Sequence, residues 1–231
     1  MVYRSRRARS VSWGAWLLAG IVGSFVPIMP AAFNFRVPLI FALGLDDAFG
    51  LGSVAIAATF LAFLQYIILS ALIGKVSAAA LMWIPVSAAA ARIPFLAINL
   101  WQTTVPRTLI SVSAIQASLP PGFPLLQIIF ALFGIANAAV LGLAQGILLA
   151  RIFGGRSIVA LWLGANLLAS VLVGIVFGIR LQEPVTGDDA TLTAIFVSNT
   201  LIDAALYAAV TGAALVAIAG QRVSMHARAG A

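Results

Sequence analysis

LGLAQGILLARIFGGRSIVAL, residues 141–161, is the stretch whose reading decides the fold. An apolar run stops at Arg151, turns through Gly154, Gly155 and Arg156, and starts again as a second apolar run. Two glycines permit a tight reversal, and the flanking arginines belong at an aqueous margin, so the segment reads as two antiparallel membrane helices joined by a short loop. Sliding the chain by 80 residues sets LAFLQYIILSALIGKVSAAAL, residues 61–81, over it. Gln65 then meets Gln145 and Gly74 meets Gly154, while Leu61, Ile67, Leu69, Ser77, Ala80 and Leu81 meet identical residues. VTGAALVAIAG, ending at Gly220, is a fainter echo, with Thr211-Gly212 where the second copy has Gln145-Gly146. The matched hairpins enter from the same side and are expected to be parallel repeats.

Working outward, 63% of the 231 residues are hydrophobic, 8% are charged and the mean hydropathy is +1.13. A soluble domain so composed lacks the polar groups to cover its surface, so lipid is the expected solvent. A span needs about 20 apolar residues at about 1.5 Å each. On that measure six spans fall near 12–30, 51–74, 77–100, 126–150, 157–180 and 193–219. The expectation is an all-α polytopic bundle: one membrane domain over 12–219, a basic segment at 1–11 and a tail at 220–231. A seventh span in 101–125 is opposed by Gln102, Thr103, Thr104, Arg107 and the Pro120-Pro121 pair.

The net charge of +7 and pI near 11.3 read as topology rather than nucleic-acid binding, because the basic residues sit at the ends of apolar segments. Arg4, Arg6, Arg7, Arg9, Lys75, Arg151, Arg156, Arg222 and Arg228 share one side; Arg36, Arg92, Arg107 and Arg180 take the other. Nine against four puts both termini and the short loops in the cytoplasm of a multi-pass cell-membrane protein. Asp46, Asp47, Glu183, Asp188 and Asp189 fall on the outer side. The basic start also has the look of a signal peptide, but its long apolar run suits a retained span better.

Helix contact within lipid needs small residues that let backbones approach. Gly134, Ala138, Gly142 and Gly146, then Ala15, Ala19 and Gly23, then Ser170, Gly174 and Gly178 recur at spacing four and predict such seams. Pro27, Pro30 and Pro85 are expected to end or bend their helices. Phe33–Leu45 and Thr108–Leu119 are apolar for loops, which suits the membrane interface first and a cover over a cavity mouth second. Size and span count resemble the small substrate-binding subunits of energy-coupling-factor transporters, and Ala15-x-x-x-Ala19 is similar to the motif by which those subunits dock. That resemblance implies a bundle that holds solute while partner chains supply energy.

Candidate site residues come from polar groups placed where lipid penalises them. Asn199, Asp203, Tyr207 and Thr211 follow at intervals of four and share one face of span six. Asp203 falls about 15 Å into the span, near the midplane, where a charge costs about 2.5–3.5 kcal/mol on an insertion scale. Arg92, about 12 Å from the outer end of span three, is its expected partner. A packing ion pair, or Arg92 reaching the headgroups beside a protonated Asp203, is the plainer alternative. Gln65 and Gln145 occupy equivalent places in the hairpins and complete the candidate set. Amides such as these, Asn137 and Asn166 also clamp helices together without further purpose, at about 0.6 kcal/mol each.

The chain carries no cysteine, one histidine, His226, in the tail, and one lysine, Lys75, at a loop. Thiolate chemistry, bis-histidine haem, histidine-based metal sites or triads and a buried Schiff base therefore lack their residues. Asp203 is the single carboxylate within a span, and no phosphate-cradling glycine loop precedes a lysine. A non-enzyme without cofactor or metal is expected. It binds or transports a small solute at a polar site inside the bundle, and an energising module or other membrane subunits are its expected partners. The alternative is a non-catalytic accessory subunit of a membrane complex, whose polar stripe would face a bundle without a cavity.

Overall fold

The computed structural model describes residues 2–25, 51–73, 78–91, 93, 120, 125–180 and 189–229. The protein is all-helical over these residues, with no strand. Among the described residues six helices follow in chain order: α1 (Val2–Phe25), α2 (Leu51–Ile73), α3 (Ala78–Ala91), α4 (Leu125–Phe153), α5 (Ser157–Arg180) and α6 (Asp189–Ala229). Each packs on the next, and α6 packs on α1, so the helices close into a ring.

Three stretches are long and apolar enough to cross a membrane: Ala131–Phe153, Ser157–Val176 and Val197–Gln221. Ala58–Ile73 and Ala78–Ala91 are shorter apolar helices. At 41 residues α6 is about 60 Å long, about twice a hydrocarbon core, so it extends beyond its apolar stretch at both ends. The outer surface of the bundle is apolar. Leu18, Leu132, Leu168 and Ile175 are each more than half exposed, while Gln65, Ser87, Gln145, Asn166 and Thr211 are buried. Water would penalise that arrangement, whereas hydrocarbon accepts it, so this is a membrane protein by its surface as well as its composition.

The turn at residues 154–156 has the form expected of it. Gly154 and Gly155 adopt φ of 79° and 123°, and the Gly154 amide donates to the Ala150 carbonyl at 2.9 Å to finish α4. The corresponding turn at 74–77 lies outside the described residues, as do Pro27, Pro30, both apolar loops and the region 101–119 where a seventh span was weighed.

Small residues set the helix approaches. A methyl group on Gly142 would lie 2.9 Å from Asn166 Cβ, and one on Gly146 would lie 3.2 Å from Val159 Cα, so α4 and α5 meet backbone to side chain along that series. Gly134 faces Ser170 in the same seam. Gly23 seats Leu61 of α2, and Gly20 seats Ala208 of α6. Ala19 is buried and Ala15 half-buried. Gly174 has nothing close to it, so the α5 series is a seam only where it meets α4. Pro85 loosens α3 without ending it. Without an amide hydrogen it cannot donate to Leu81, and the helix opens into a turn at Met82 before continuing. The bonds from Met82 to Ala78 and from Val86 to Met82 persist at 3.0 and 3.1 Å.

Candidate functional site

Three tryptophans meet inside the ring. Trp16 of α1, Trp83 of α3 and Trp162 of α5 are each no more than 1% exposed. Their ring centroids stand 6.0, 5.9 and 6.0 Å apart pairwise, with planes inclined at 67° to 86°. Edge-to-face geometry sets the electropositive rim of one indole against the π face of another, and three such contacts lock the cluster.

A buried indole N–H needs an acceptor, and each of these has one. Trp83 Nε1 donates to Gln65 Oε1, Trp162 Nε1 to Gln145 Oε1 and Trp16 Nε1 to Thr211 Oγ1, all at 3.1 Å. The acceptors come from α2, α4 and α6, so every bond ties a tryptophan helix to its neighbour in the ring. A second set of bonds extends this network. Gln145 Nε2 donates to Ser87 Oγ at 2.8 Å, linking α4 to α3. Tyr207 Oη donates to Asn166 Oδ1, while Asn166 Nδ2 donates to the Trp162 carbonyl at 2.8 Å. Thr211 Oγ1 donates to the Tyr207 carbonyl at 2.9 Å, which orients its lone pairs toward Trp16.

A cavity of about 70 Å³ lies beside the cluster. Trp16 and Trp162 form part of its wall together with Gln65, Gln145, Ser87 and Thr211; Leu61, Leu141 and Tyr207 line it one helical turn toward the N-terminal ends of α2, α4 and α6. Among the described residues, no carboxylate or basic side chain lines it. Hydroxyl, carboxamide, phenol and indole groups give it hydrogen-bonding capacity without formal charge. A single water needs about 10–15 Å³ by this measure and an apolar cavity of about 150 Å³ holds benzene, so the space suits a few waters or one solute smaller than benzene.

Four of the residues singled out from the sequence, Gln65, Gln145, Tyr207 and Thr211, thus come together around one cavity. Asp203 and Asn199 lie one and two turns further toward the start of α6, half-buried and not part of its lining. Arg92 lies outside the described residues, so its pairing with Asp203 does too. The tryptophans were missed as functional residues. Indoles near the ends of spans ordinarily serve as interfacial anchors, and that habit hides a buried cluster. A signal existed: continuing the hairpin match through the turn with one residue removed sets Trp83 over Trp162 and Ser87 over Asn166. Among the described residues, no group of three or more histidine, cysteine or acidic side chains is placed to hold a metal ion.

Fold and site together define a helical membrane protein with an apolar exterior and a hydrogen-bonded, uncharged interior. No protein-family model matches the chain, and no curated protein or solved structure matches it either.

Proposed function

We propose that the protein binds a small solute in the cavity beside the tryptophan cluster, as a binding or transport component of the cell membrane. The single observation that carries this reading is the cavity itself, a partly open and mostly apolar space at which Gln65, Ser87, Gln145, Tyr207 and Thr211 meet, in a bundle whose described outer surface is apolar. The polar groups also clamp helices by bonding one another, and it is the space left beside them that supports a solute. Six spans with both termini in the cytoplasm complete the proposal; three described helices long and apolar enough to cross a membrane, two shorter apolar ones and the nine-to-four distribution of basic residues support it. With that orientation the Leu61–Leu141–Tyr207 end of the cavity faces outward, and the indoles lie on its cytoplasmic side. Movement of solute past them would require the helices to shift, with energy supplied by partner chains.

Tryptophan emission reports on this site directly, since Trp16 and Trp162 line it and Trp83 packs against both. Purified protein in nanodiscs, titrated with a panel of small neutral and charged solutes, should show a saturable emission change with at least one solute. Gln145→Leu should remove that response. Absence of any saturable response across the panel, in protein that melts cooperatively, would sink the proposal and leave the accessory-subunit reading. That second reading draws on Asp203 and Asn199, which are half-buried on α6 away from the cavity; it predicts that Asp203→Asn weakens co-purification of another chain and spares solute binding.

A further inference from the structure

We infer that α6 and α1 form a third hairpin equivalent to α2–α3 and α4–α5, and that the cavity between the three, to which Thr211 contributes where the other two contribute glutamine, takes a small neutral amide. The inference rests on the solute-binding reading and gives it a ligand class. Its first support is the hydrogen bonding. In each of the first two hairpins the glutamine of the first helix accepts from the tryptophan of the second, 18 residues later for Gln65 and 17 for Gln145. Thr211 accepts from Trp16 in the same way, at the same distance, though its tryptophan stands at the other end of the chain. The two helices of the third hairpin are therefore joined by no short loop such as the one that links α4 to α5.

Its second support lies in glycine packing shared by the second and third hairpins, the first having Tyr66 at that position. Gly146, one residue after Gln145, faces Val159, three residues before Trp162; Gly212, one after Thr211, faces Trp13, three before Trp16. Glycine follows each of Gln65, Gln145 and Thr211 at the same interval of nine residues, as Gly74, Gly154 and Gly220. Leu61, Leu141 and Tyr207 precede them by four and all line the cavity, which consequently lies on the axis relating the three hairpins.

The symmetry is broken at one group. Two glutamines present carboxamides to the cluster, whereas Thr211 supplies an acceptor for Trp16 but ends short, lacking the carboxamide. What is missing is neutral, planar, polar at both ends and small. Among the described residues no charged side chain lines the space to favour an ion, and an uncompensated charge there would be penalised by desolvation. A molecule shaped like the absent group, bearing a carbonyl acceptor and an amide donor, matches the hydrogen-bonding chemistry of the lining and the small volume.

Acetamide tests this, with acetate and methylammonium as charged counterparts of similar size. In full-length protein in nanodiscs, acetamide should change tryptophan emission saturably at roughly millimolar concentration, as befits so few contacting atoms, and the charged pair should not. Thr211→Gln restores the third carboxamide and fills the space, so it should retain the near-ultraviolet circular dichroism of the indole cluster and lose the acetamide response about 10-fold or more. If that variant does not fold, Ala62→Val, which fills the cavity from α2, should lose the response instead. Acetate or methylammonium acting as well as acetamide would overturn the ligand class. A folded filling variant that still responds like the parent would overturn the vacancy. Silence toward acetamide with a response to another solute of the panel would overturn this inference and leave the solute-binding proposal standing.

Discussion

At Trp162 the interior of the protein can be dissected one bond at a time. Trp162→Phe preserves an aromatic ring but deletes the N–H that Gln145 Oε1 accepts. An acceptor stranded in a dry core costs about 1–3 kcal/mol, yet polar pairs within membrane bundles average about 0.6 kcal/mol. The cavity decides between these values, because Gln145 lines it and water there can replace the lost donor. Destabilisation near 1 kcal/mol is expected for Trp162→Phe, measured by thermal melting in detergent. Trp162→Ala also forfeits two edge-to-face contacts and leaves a void, and should cost about 3–5 kcal/mol. Equal melting of the two variants would mean that packing around the indole contributes nothing beyond its hydrogen bond. The sequence made the polar half of this network legible, since glutamine, threonine and tyrosine inside apolar runs are conspicuous. It concealed the aromatic half, because an indole reads alike whether its N–H meets lipid headgroups or a buried carboxamide.

Helices in this bundle approach through glycine, and the two classes of glycine separate cleanly. Gly142 sits where an added methyl would lie 2.9 Å from Asn166 Cβ, so Gly142→Ala must push α4 from α5 and should cost about 1–3 kcal/mol. Gly164 on α5 has open space around it, and Gly164→Ala should stabilise by about 0.5–1 kcal/mol through backbone entropy alone. Opposite signs are thus expected from one substitution at two glycines of the same helix pair. Chemical or thermal unfolding of the two variants checks it, and a shared sign would show that the seam is looser than described. Gly154 behaves differently again: with φ at 79°, Gly154→Ala strains the α4–α5 turn and should cost about 1–2 kcal/mol. Spacing four exposed the α4 seam in the sequence because periodicity reports which face a residue occupies. It misjudged Gly174, since periodicity does not report whether a neighbour is present on that face. Element ends were least legible. Hydropathy follows the apolar run, while α1 and α6 are held by backbone hydrogen bonds that continue into their polar flanks.

At the scale of the whole molecule, the proposed arrangement of the chain across the bilayer rests on its basic residues, and the absence of cysteine makes it directly testable. Single cysteines placed at Arg156 and at Asp47 should react with a membrane-impermeant maleimide from opposite sides of intact cells: Asp47→Cys from outside, Arg156→Cys only after the membrane is opened. Arg156 is exposed in the α4–α5 turn, so lack of labelling there cannot come from burial. Ser224→Cys near the C-terminal end should behave like Arg156→Cys, because α6 returns the chain to the side from which α1 departs. The closed ring sharpens this expectation, for α6 and α1 pair as hairpin helices only if the ends of the chain share a compartment. Labelling of Ser224→Cys from outside would make α1 and α6 parallel. The equivalence of Thr211 with Gln65 and Gln145 would then fail, and with it the placing of the cavity on an axis common to three hairpins.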